Sequence, residues 1–301
     1  MSASDYLLSQ SDLKLYVAVA AGIFLSAAAS YILARRSILR SYRVAVIGFP
    51  QVGKTSLITA LFAYLFKRGI RGASIVPRGE ETITRINAHI AEMESGKGVA
   101  PTRDQDVFAY RAEVQSRSKF GLLPTKYKLE IGDFPGEQSE AFIESDQPWL
   151  HNTKYFQWAM GADAFLFVVD SSQCNGFDTV EYVAHQQSAF RAAWQRLADH
   201  HIDGGSSLRN KAVILVYTKA DRILDGPPHR FGAGAVPETL EDRTKKLHDF
   251  LDETFADFIY YVRRDAPKFK TVLTSVVKKQ SLERIGIPEV ADYMLPTWRQ
   301  L

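Results

Sequence analysis

The chain has 301 residues, of which 46% are hydrophobic and 24% are charged, a composition that is typical of a folded protein and excludes a disordered one. The formal net charge of +3 is too small to indicate a protein that binds nucleic acid, and the single cysteine, Cys174, excludes an intrachain disulfide. The seven histidines follow no spacing that would indicate a metal site.

The first predicted element is a membrane-spanning helix over residues 15–34, which carry no charge. Such a helix would be about 30 Å long, which matches the core of a bilayer. Arginines follow at once, so the positive-inside rule places the later part of the chain in the cytoplasm. The prediction is a tail (1–14), a single-pass anchor in the lipid bilayer (15–34), a basic linker (35–41) and a cytoplasm-facing domain (42–301).

Two other interpretations of residues 15–34 remain open. The small residues 27–30 would suit the cleavage site of a signal peptide, but the preceding segment lacks a net positive charge. The segment could also be a buried core helix, although it is apolar all round and precedes the first strand of the domain.

The stretch Gly48-Phe-Pro-Gln-Val-Gly-Lys-Thr55 lies between an apolar run (42–47) and an amphipathic helical run (56–67). A strand, a loop with Gly-x-x-x-x-Gly-Lys-Thr spacing and a helix predict a phosphate-binding P-loop. Its backbone N–H groups would wrap the phosphates, Lys54 would reach the β- and γ-phosphates, and Thr55 would ligate Mg²⁺. The predicted nucleotide-binding residues of the loop are Gly48, Gln51, Val52, Gly53, Lys54, Thr55 and Ser56.

Residues 70–98 are predicted as a helical insert, because apolar residues recur at three- and four-residue spacing within them. Two segments of alternating polarity, 108–114 and 127–131, then predict an antiparallel hairpin whose first strand is the sheet edge. The second segment leads into Asp133-Phe-Pro-Gly136-Glu137. A carboxylate in this place would give Mg²⁺ a second anchor, and the N–H of Gly136 would face a γ-phosphate.

Two apolar runs, 162–170 and 212–217, predict buried parallel strands, with a helix over 179–200 between them. The second run ends in Thr218-Lys219-Ala220-Asp221. One carboxylate accepts both N–H donors on the edge of guanine, a pair that adenine lacks, while the stem of Lys219 lies over the base. A helix (238–264), a strand (269–277) and a helix (287–295) complete the prediction: an α/β, three-layer P-loop NTPase fold with a mostly parallel sheet and one antiparallel edge strand.

These motifs, in this order, resemble those of the translation-factor-type (TRAFAC) P-loop GTPases over residues 42–301. The resemblance implies that Thr102 binds Mg²⁺ and senses the γ-phosphate, and that Asp133 to Gly136 form switch II. It also implies that Thr218 to Asp221 select guanine and that the Ser275-Val276 segment meets the guanine oxygen through a backbone N–H. The family usually has Ala where Val276 stands.

The chain also departs from small GTPases of this class. Glu137 stands where many of them have the glutamine that orients the attacking water, so we expect slow hydrolysis that needs a partner. Arg103 is a candidate arginine finger, with a solvated loop arginine as the alternative. A membrane helix followed by a GTPase domain resembles the β subunit of the signal recognition particle receptor, whereas the insert and switch II resemble divergent bacterial GTPases.

The sequence therefore predicts a membrane-anchored switch that hydrolyses GTP to GDP and phosphate with Mg²⁺ and acts on a protein effector. The predicted catalytic residues are Lys54, Thr102, Gly136 and Glu137, and the predicted metal ligands are Thr55, Thr102 and Asp133. The alternatives are a membrane scaffold that binds GTP and hydrolyses it poorly, and an ATP-dependent enzyme on the same fold.

Overall fold

The structure is a computed structural model that describes residues 16–27, 40–96, 99, 108–116, 125–133, 154–175, 179–205, 207–225, 239–276 and 284–296. The predicted site residues Thr102, Gly136 and Glu137, together with Arg103, lie outside these ranges. The chain divides into two compact units, Met1–Arg40 and Ser41–Leu301, which are described separately.

The first unit contains a helix, α1, over residues 16–27. Within the described part of the chain, no helix combines the length and apolar character that a membrane crossing requires. The prediction of a single-pass membrane protein, anchored through residues 15–34 with its P-loop domain facing the cytoplasm, is therefore wrong.

The second unit is built around one sheet, which has seven strands in the described ranges, in the order β2-β3-β4-β1-β5-β6-β7. The strands are β1 (Arg40–Ile47), β2 (Ala73–Pro77), β3 (Phe108–Ser116), β4 (Thr125–Asp133), β5 (Ala164–Asp170), β6 (Ala212–Thr218) and β7 (Phe269–Leu273). The helices are α2 (Lys54–Arg68), α3 (Glu80–Glu94), α4 (Lys154–Met160), α5 (Thr179–Asp203), α6 (Asp221–Leu224), α7 (Leu240–Thr254), α8 (Ala256–Asp265) and α9 (Ile287–Met294). Short 3₁₀ turns follow β5 (Ser171–Asn175) and precede β6 (Leu208–Asn210).

The central strands are parallel and buried. β1 pairs with β5, β5 with β6, and β6 with β7, all in parallel register. Every residue of β5 and β6 is buried, which explains why both strands read as unbroken apolar runs. The predicted α/β fold with a mostly parallel sheet is confirmed.

Helices cover the sheet through aromatic packing. Phe165 and Phe167, two residues apart on β5 and so on one face of the sheet, make edge contacts with Trp194 of α5 at centroid distances of 6.2 and 6.3 Å. Elsewhere in the core, Phe62 of α2 packs on Tyr110 of β3 at 5.7 Å. Large buried aromatic side chains dominate the energetics of such a core because each removes a large apolar area from water.

The edge of the sheet differs from the prediction. Strand β2 lies within the predicted helical insert (70–98), and it pairs antiparallel with β3, which also pairs antiparallel with β4. The predicted edge strand is therefore covered. The backbone N–H and C=O of Ala73 are both bonded to Ile70, at 2.7 and 3.1 Å, and Pro77 has no N–H. Such an edge offers few groups to another strand, which protects against aggregation.

Two elements near the carboxyl end of the chain, a helix and a strand, have bounds that differ from the prediction. The predicted helix 238–264 is two helices, α7 and α8, because the chain leaves helical geometry at Phe255 (φ −103°, ψ 19°). Phe255 is completely buried and packs on Tyr217 at 5.7 Å. Strand β7 ends at Leu273, earlier than the predicted 277. Tertiary packing overrides the local helical pattern here.

Candidate nucleotide-binding site

The predicted P-loop joins the carboxyl end of β1 to the start of α2. Val44 to Ile47 are fully buried beside β5, so the loop leaves the middle of the sheet. A Cβ on Gly48 would lie 2.8 Å from the backbone oxygen of Val168, which explains the glycine at this close approach. Gln51 (φ 62°) and Gly53 (φ 93°) are both left-handed, as a tightly turned loop requires.

The amino-terminal end of α2 is suited to an anion. Its N-cap is Gly53, and among the described residues no side chain caps it and no acidic residue occupies its first turn. Helix α7 is the opposite case, since a complete capping box of Thr239 and Asp242 satisfies its first N–H groups. The amino-terminal backbone N–H groups and the positive dipole end of α2 therefore favour a phosphate.

Lys54 lies within the loop. Its Nζ donates to the carbonyl oxygens of Gly48 at 2.7 Å and Phe49 at 2.9 Å, and the residue is only 7% exposed. These contacts hold a positive charge among the backbone groups of the loop. A buried ammonium is favourable only with such acceptors or with an anion beside it.

Thr55 and Asp133 meet across 78 residues of chain. The Thr55 hydroxyl donates to Oδ1 of Asp133 at 3.3 Å, and Asp133 is 1% exposed at the carboxyl end of β4. A hydroxyl and a carboxylate form a set of hard oxygen donors, which Mg²⁺ prefers, and Mg²⁺ usually takes its other ligands from water and phosphate. The donors present therefore fit Mg²⁺.

The described residues contain no group of three or more His, Cys, Asp or Glu side chains that could hold a metal ion by themselves. Cys174 is buried close to Asp170, and burial raises the pKa of its thiol to about 12. The thiol is therefore protonated at neutral pH and unsuited to nucleophilic or metal chemistry.

Thr218 connects the end of β6 to the P-loop. Its Oγ1 lies 2.6 Å from the Val52 oxygen and 2.9 Å from the Val169 oxygen, and it donates its single proton to one of these two carbonyls. The position of the predicted guanine-selecting segment is thereby tied to the position of the phosphate-binding loop.

Lys219 is also left-handed (φ 58°), which is uncommon for a residue with a side chain. Its Nζ donates to the Gln51 oxygen at 2.7 Å and to Oδ2 of Asp170 at 2.5 Å. A Cβ on Gly53 would lie 3.9 Å from Cε of Lys219, so the lysine stem runs beside the loop.

Asp170 was not among the predicted site residues. It ends β5 in register with Thr218 and is 4% exposed. The available signal was a carboxylate at the carboxyl end of a buried strand, where the sites of open parallel sheets form.

Asp221 begins α6, beside the end of β7. Its Oδ1 accepts a hydrogen bond of 2.9 Å from the hydroxyl of Ser275, a residue that is 1% exposed. The backbone N–H of Thr274 donates to the Tyr217 oxygen at 2.7 Å, and the Ala220 N–H donates to the Thr274 oxygen at 3.2 Å. These bonds hold the two segments side by side, and Val276 follows, half-buried against the core.

A cleft of about 590 Å³ lies elsewhere, beside β3 and the start of α3. Its arginines already have carboxylate partners: Arg78 meets Glu113 at 2.6 Å, while Arg43 and Arg111 share Glu130 at 3.3 and 3.7 Å. The cleft therefore lacks the uncompensated positive field that a triphosphate needs.

The family model for Double-GTPase 2 matches residues 42–291. The chain belongs to the Double-GTPase 2 family. The predicted resemblance to P-loop GTPases is thereby confirmed, while the TRAFAC class and the two finer resemblances stay predictions.

Among solved structures, the Double-GTPase 2 chain matches Roco2 RocCORdC of Methanosarcina barkeri bound to GDP, with 13% identity and a TM-score of 0.33. The match covers 84% of this chain and 47% of the Roco2 chain, so this protein spans about half the length of that structure. No curated protein is significantly similar in sequence.

Proposed function

We propose that this protein binds guanine nucleotide and hydrolyses GTP to GDP and phosphate, slowly in the absence of a protein partner. The observation that carries the proposal is the convergence of the P-loop, Asp133, Thr218 to Asp221 and Ser275 at the carboxyl ends of neighbouring strands. Ligands of open α/β sheets bind at that edge. Membership of the Double-GTPase 2 family supports the same activity.

The phosphate end of the nucleotide would lie on the backbone donors of the P-loop and the start of α2. Lys54, held beside the Gly48 oxygen at 2.7 Å, would place its charge against the β- and γ-phosphates. Electrostatic stabilisation of the transferring phosphoryl group is the main catalytic effect expected of such a site.

When bound, Mg²⁺ neutralises charge on the phosphate oxygens. We propose that Thr55 ligates it and that Asp133 orients its coordination. Thr102 as a further ligand, Gly136 as a γ-phosphate sensor and Glu137 as the residue that positions water remain proposals from the resemblance.

The base would lie against the stem of Lys219, with its edge facing the Asp221 carboxylate. Ser275 orients that carboxylate through its 2.9 Å hydrogen bond, and the N–H of Val276 would face the guanine oxygen. Adenine lacks the donor pair that one carboxylate accepts, so GTP should bind far more tightly than ATP.

The deciding experiment measures displacement of fluorescent GDP from the full chain by GTP, ATP and XTP. Wild type should prefer GTP over ATP by at least about 100-fold, because adenine would leave the Asp221 carboxylate without the donor pair that guanine supplies. Asp221→Asn should weaken GTP and strengthen XTP, whose extra oxygen accepts from the new amide. Asp257→Asn, an exposed change on α8, is the matched control.

Equal binding of ATP and GTP, or an unchanged preference in Asp221→Asn, would refute the guanine assignment and favour an ATP-dependent enzyme. Single-turnover phosphate release from GTP then tests catalysis separately. Tight GTP binding without phosphate release would leave a nucleotide-binding scaffold as the function.

A further inference from the structure

We propose that Asp170 is a positioning residue that holds the ammonium of Lys219 between the base-binding segment and the phosphate-binding loop. This inference rests on the proposed function, because it concerns how the same site retains its nucleotide. Asp170 would not touch the nucleotide and would act only through Lys219.

The two carboxylate oxygens of Asp170 accept hydrogen bonds from different residues. Its Oδ2 accepts from Nζ of Lys219 at 2.5 Å, while its Oδ1 accepts from the backbone N–H and the hydroxyl of Ser172, at 3.0 and 2.6 Å. Both oxygens are occupied by different partners, so the carboxylate cannot turn away from the lysine without losing bonds to the 3₁₀ turn.

The surroundings of Asp170 are fixed as well. Its backbone N–H donates to the hydroxyl of Tyr182 at 3.2 Å, and the hydroxyl of Ser171 donates to the Thr218 oxygen at 2.6 Å. β5 and β6 are buried neighbours here, with Asp170 directly opposite Thr218. The carboxylate is therefore a rigid anchor and not a mobile surface group.

Lys219 needs such an anchor. It has a left-handed backbone and a side chain that is 22% exposed, and its second acceptor is the carbonyl of Gln51, itself a left-handed residue of the P-loop. Non-glycine residues keep this conformation only when the surrounding structure imposes it. The charge-assisted bond to Asp170 is the stronger of the two contacts that do so.

The consequence is a latch that joins three loops: the ends of β5 and β6, and the P-loop. With the latch closed, the lysine stem is held in place for the purine face and Gln51 is held in place for the phosphates. Opening it should let nucleotide escape faster, and GDP and GTP should be affected by the same factor because the latch does not contact the γ-phosphate.

The test measures release of fluorescent GDP and GTP from the full chain. Asp170→Asn keeps the shape and the bond to Ser172 but removes the charge, and we expect release about tenfold faster. Lys219→Met keeps the apolar stem and removes the ammonium. If Asp170 acts through Lys219, adding Asp170→Asn to Lys219→Met should change the rate no further, whereas additive effects would overturn the inference.

Asp163→Asn is the matched control. Asp163 lies directly before the first residue of β5, and Lys211 lies directly before the first residue of β6; their side chains form an ion pair at 3.2 Å. Asp163→Asn therefore removes an ion pair between the same two strands, but at the end of the strands opposite to Asp170. Its rate of nucleotide release should equal that of wild type. A rate in Asp163→Asn as fast as that in Asp170→Asn would show a general loss of strand stability and overturn the latch.

Hydrogen exchange of nucleotide-free protein separates this inference from the proposed function. Asp170→Asn should speed amide exchange in residues 48–53, whichever nucleotide the site takes; unchanged exchange would overturn the latch. A wild-type protein that binds no guanine nucleotide refutes the proposed function instead. If Asp170→Asn does not fold, nucleotide release and hydrogen exchange are measured on Lys219→Met instead. Wild-type rates of both in Lys219→Met would equally overturn the inference.

Discussion

The hydroxyl of Ser275 donates a 2.9 Å hydrogen bond to the carboxylate of Asp221 across 54 residues of chain. This bond occupies one oxygen lone pair and fixes the plane of the carboxylate that we propose reads guanine. In the proposed site, the segment that follows β7 would therefore contribute to base selection by orienting this carboxylate as well as through its backbone.

Ser275→Ala should weaken GDP binding about tenfold, close to 1.4 kcal/mol, because a hydrogen bond to a charged group is lost. Isothermal titration of nucleotide-free protein measures the change. Ser275→Thr keeps the hydroxyl and should restore most of the affinity. Ser207→Ala, which removes an exposed N-cap hydroxyl, is the control. Equal affinity in Ser275→Ala and wild type would exclude this role for the hydroxyl.

Thr55→Ala should abolish the dependence of GDP retention on Mg²⁺. In wild type, chelation with EDTA should speed GDP release at least about tenfold, since the metal ion ties the β-phosphate to the protein. In Thr55→Ala, release should be fast with or without EDTA. Thr59→Ala, one turn later on α2 and buried, is the matched control. An EDTA effect of wild-type size in Thr55→Ala would contradict the assignment.

Gly48→Ala should disturb the P-loop, because its Cβ would lie 2.8 Å from the backbone oxygen of Val168. We expect a loss of about 1–3 kcal/mol in the free energy of unfolding, together with weaker nucleotide binding. Urea unfolding measures the first quantity. Gly204→Ala, whose Cβ would lie 3.2 Å from its nearest oxygen outside the site, should cost less. If Gly48→Ala has the same free energy of unfolding as wild type, the loop can move to accommodate the added methyl group, and this prediction is wrong.

His201 should make the protein less stable in mild acid. Burial, followed by the nearby charges of Lys211 and His200, lowers the pKa of His201 to about 4, although Asp163 opposes the shift. Between pH 6.5 and 4 the unfolded chain binds a proton that the folded chain does not, so the free energy of unfolding falls as pH falls. The slope from this residue is at most about 1.4 kcal/mol per pH unit, and the contribution is absent above pH 7.

His201→Phe removes this titration and keeps a ring against Phe165, which His201 contacts at 6.4 Å. Urea unfolding at several pH values should therefore give a flatter slope in the variant than in wild type. Ile202→Ala, at the exposed neighbouring position and without a titrating group, controls for changes at this helix end. Parallel pH profiles for wild type and His201→Phe would show that another group is responsible.

Much of the fold follows from local patterns. The unbroken apolar runs of β5 and β6 predicted buried parallel strands, and the spacing from Gly48 to Thr55 predicted a loop at the start of a helix. Both are found, because burial on two faces and the geometry of a helix start are properties of neighbouring residues. Thr218 and Lys219, which belong to the predicted guanine motif, also contact the P-loop.

Other features needed the tertiary structure. Strand β2, within 70–98, has only five residues, which are too few to show a strand pattern beside the helical spacing that follows. Its position next to β3 depends on pairing between residues that are about 40 positions apart. The helix breaks at Phe255 because the ring of Phe255 is buried against Tyr217. The spacing of apolar residues within 238–264 does not predict this contact. The uncharged segment 15–34 predicted a membrane span, whereas no helix in the described part of the chain has the length and apolar character to cross a membrane.

By itself, the sequence determined that a strand, a Gly-x-x-x-x-Gly-Lys-Thr loop and a helix follow one another from residue 42, and that Asp221 follows the strand 212–217, since spacing along the chain carries that information. Only the tertiary structure decided that Asp170 holds Lys219, and it added a direct contact between Thr55 and Asp133, which the sequence had predicted only as two ligands of one metal ion. These partners are 49 and 78 residues apart, and contacts over such separations depend on strand order and register, which become defined only when the sheet is assembled.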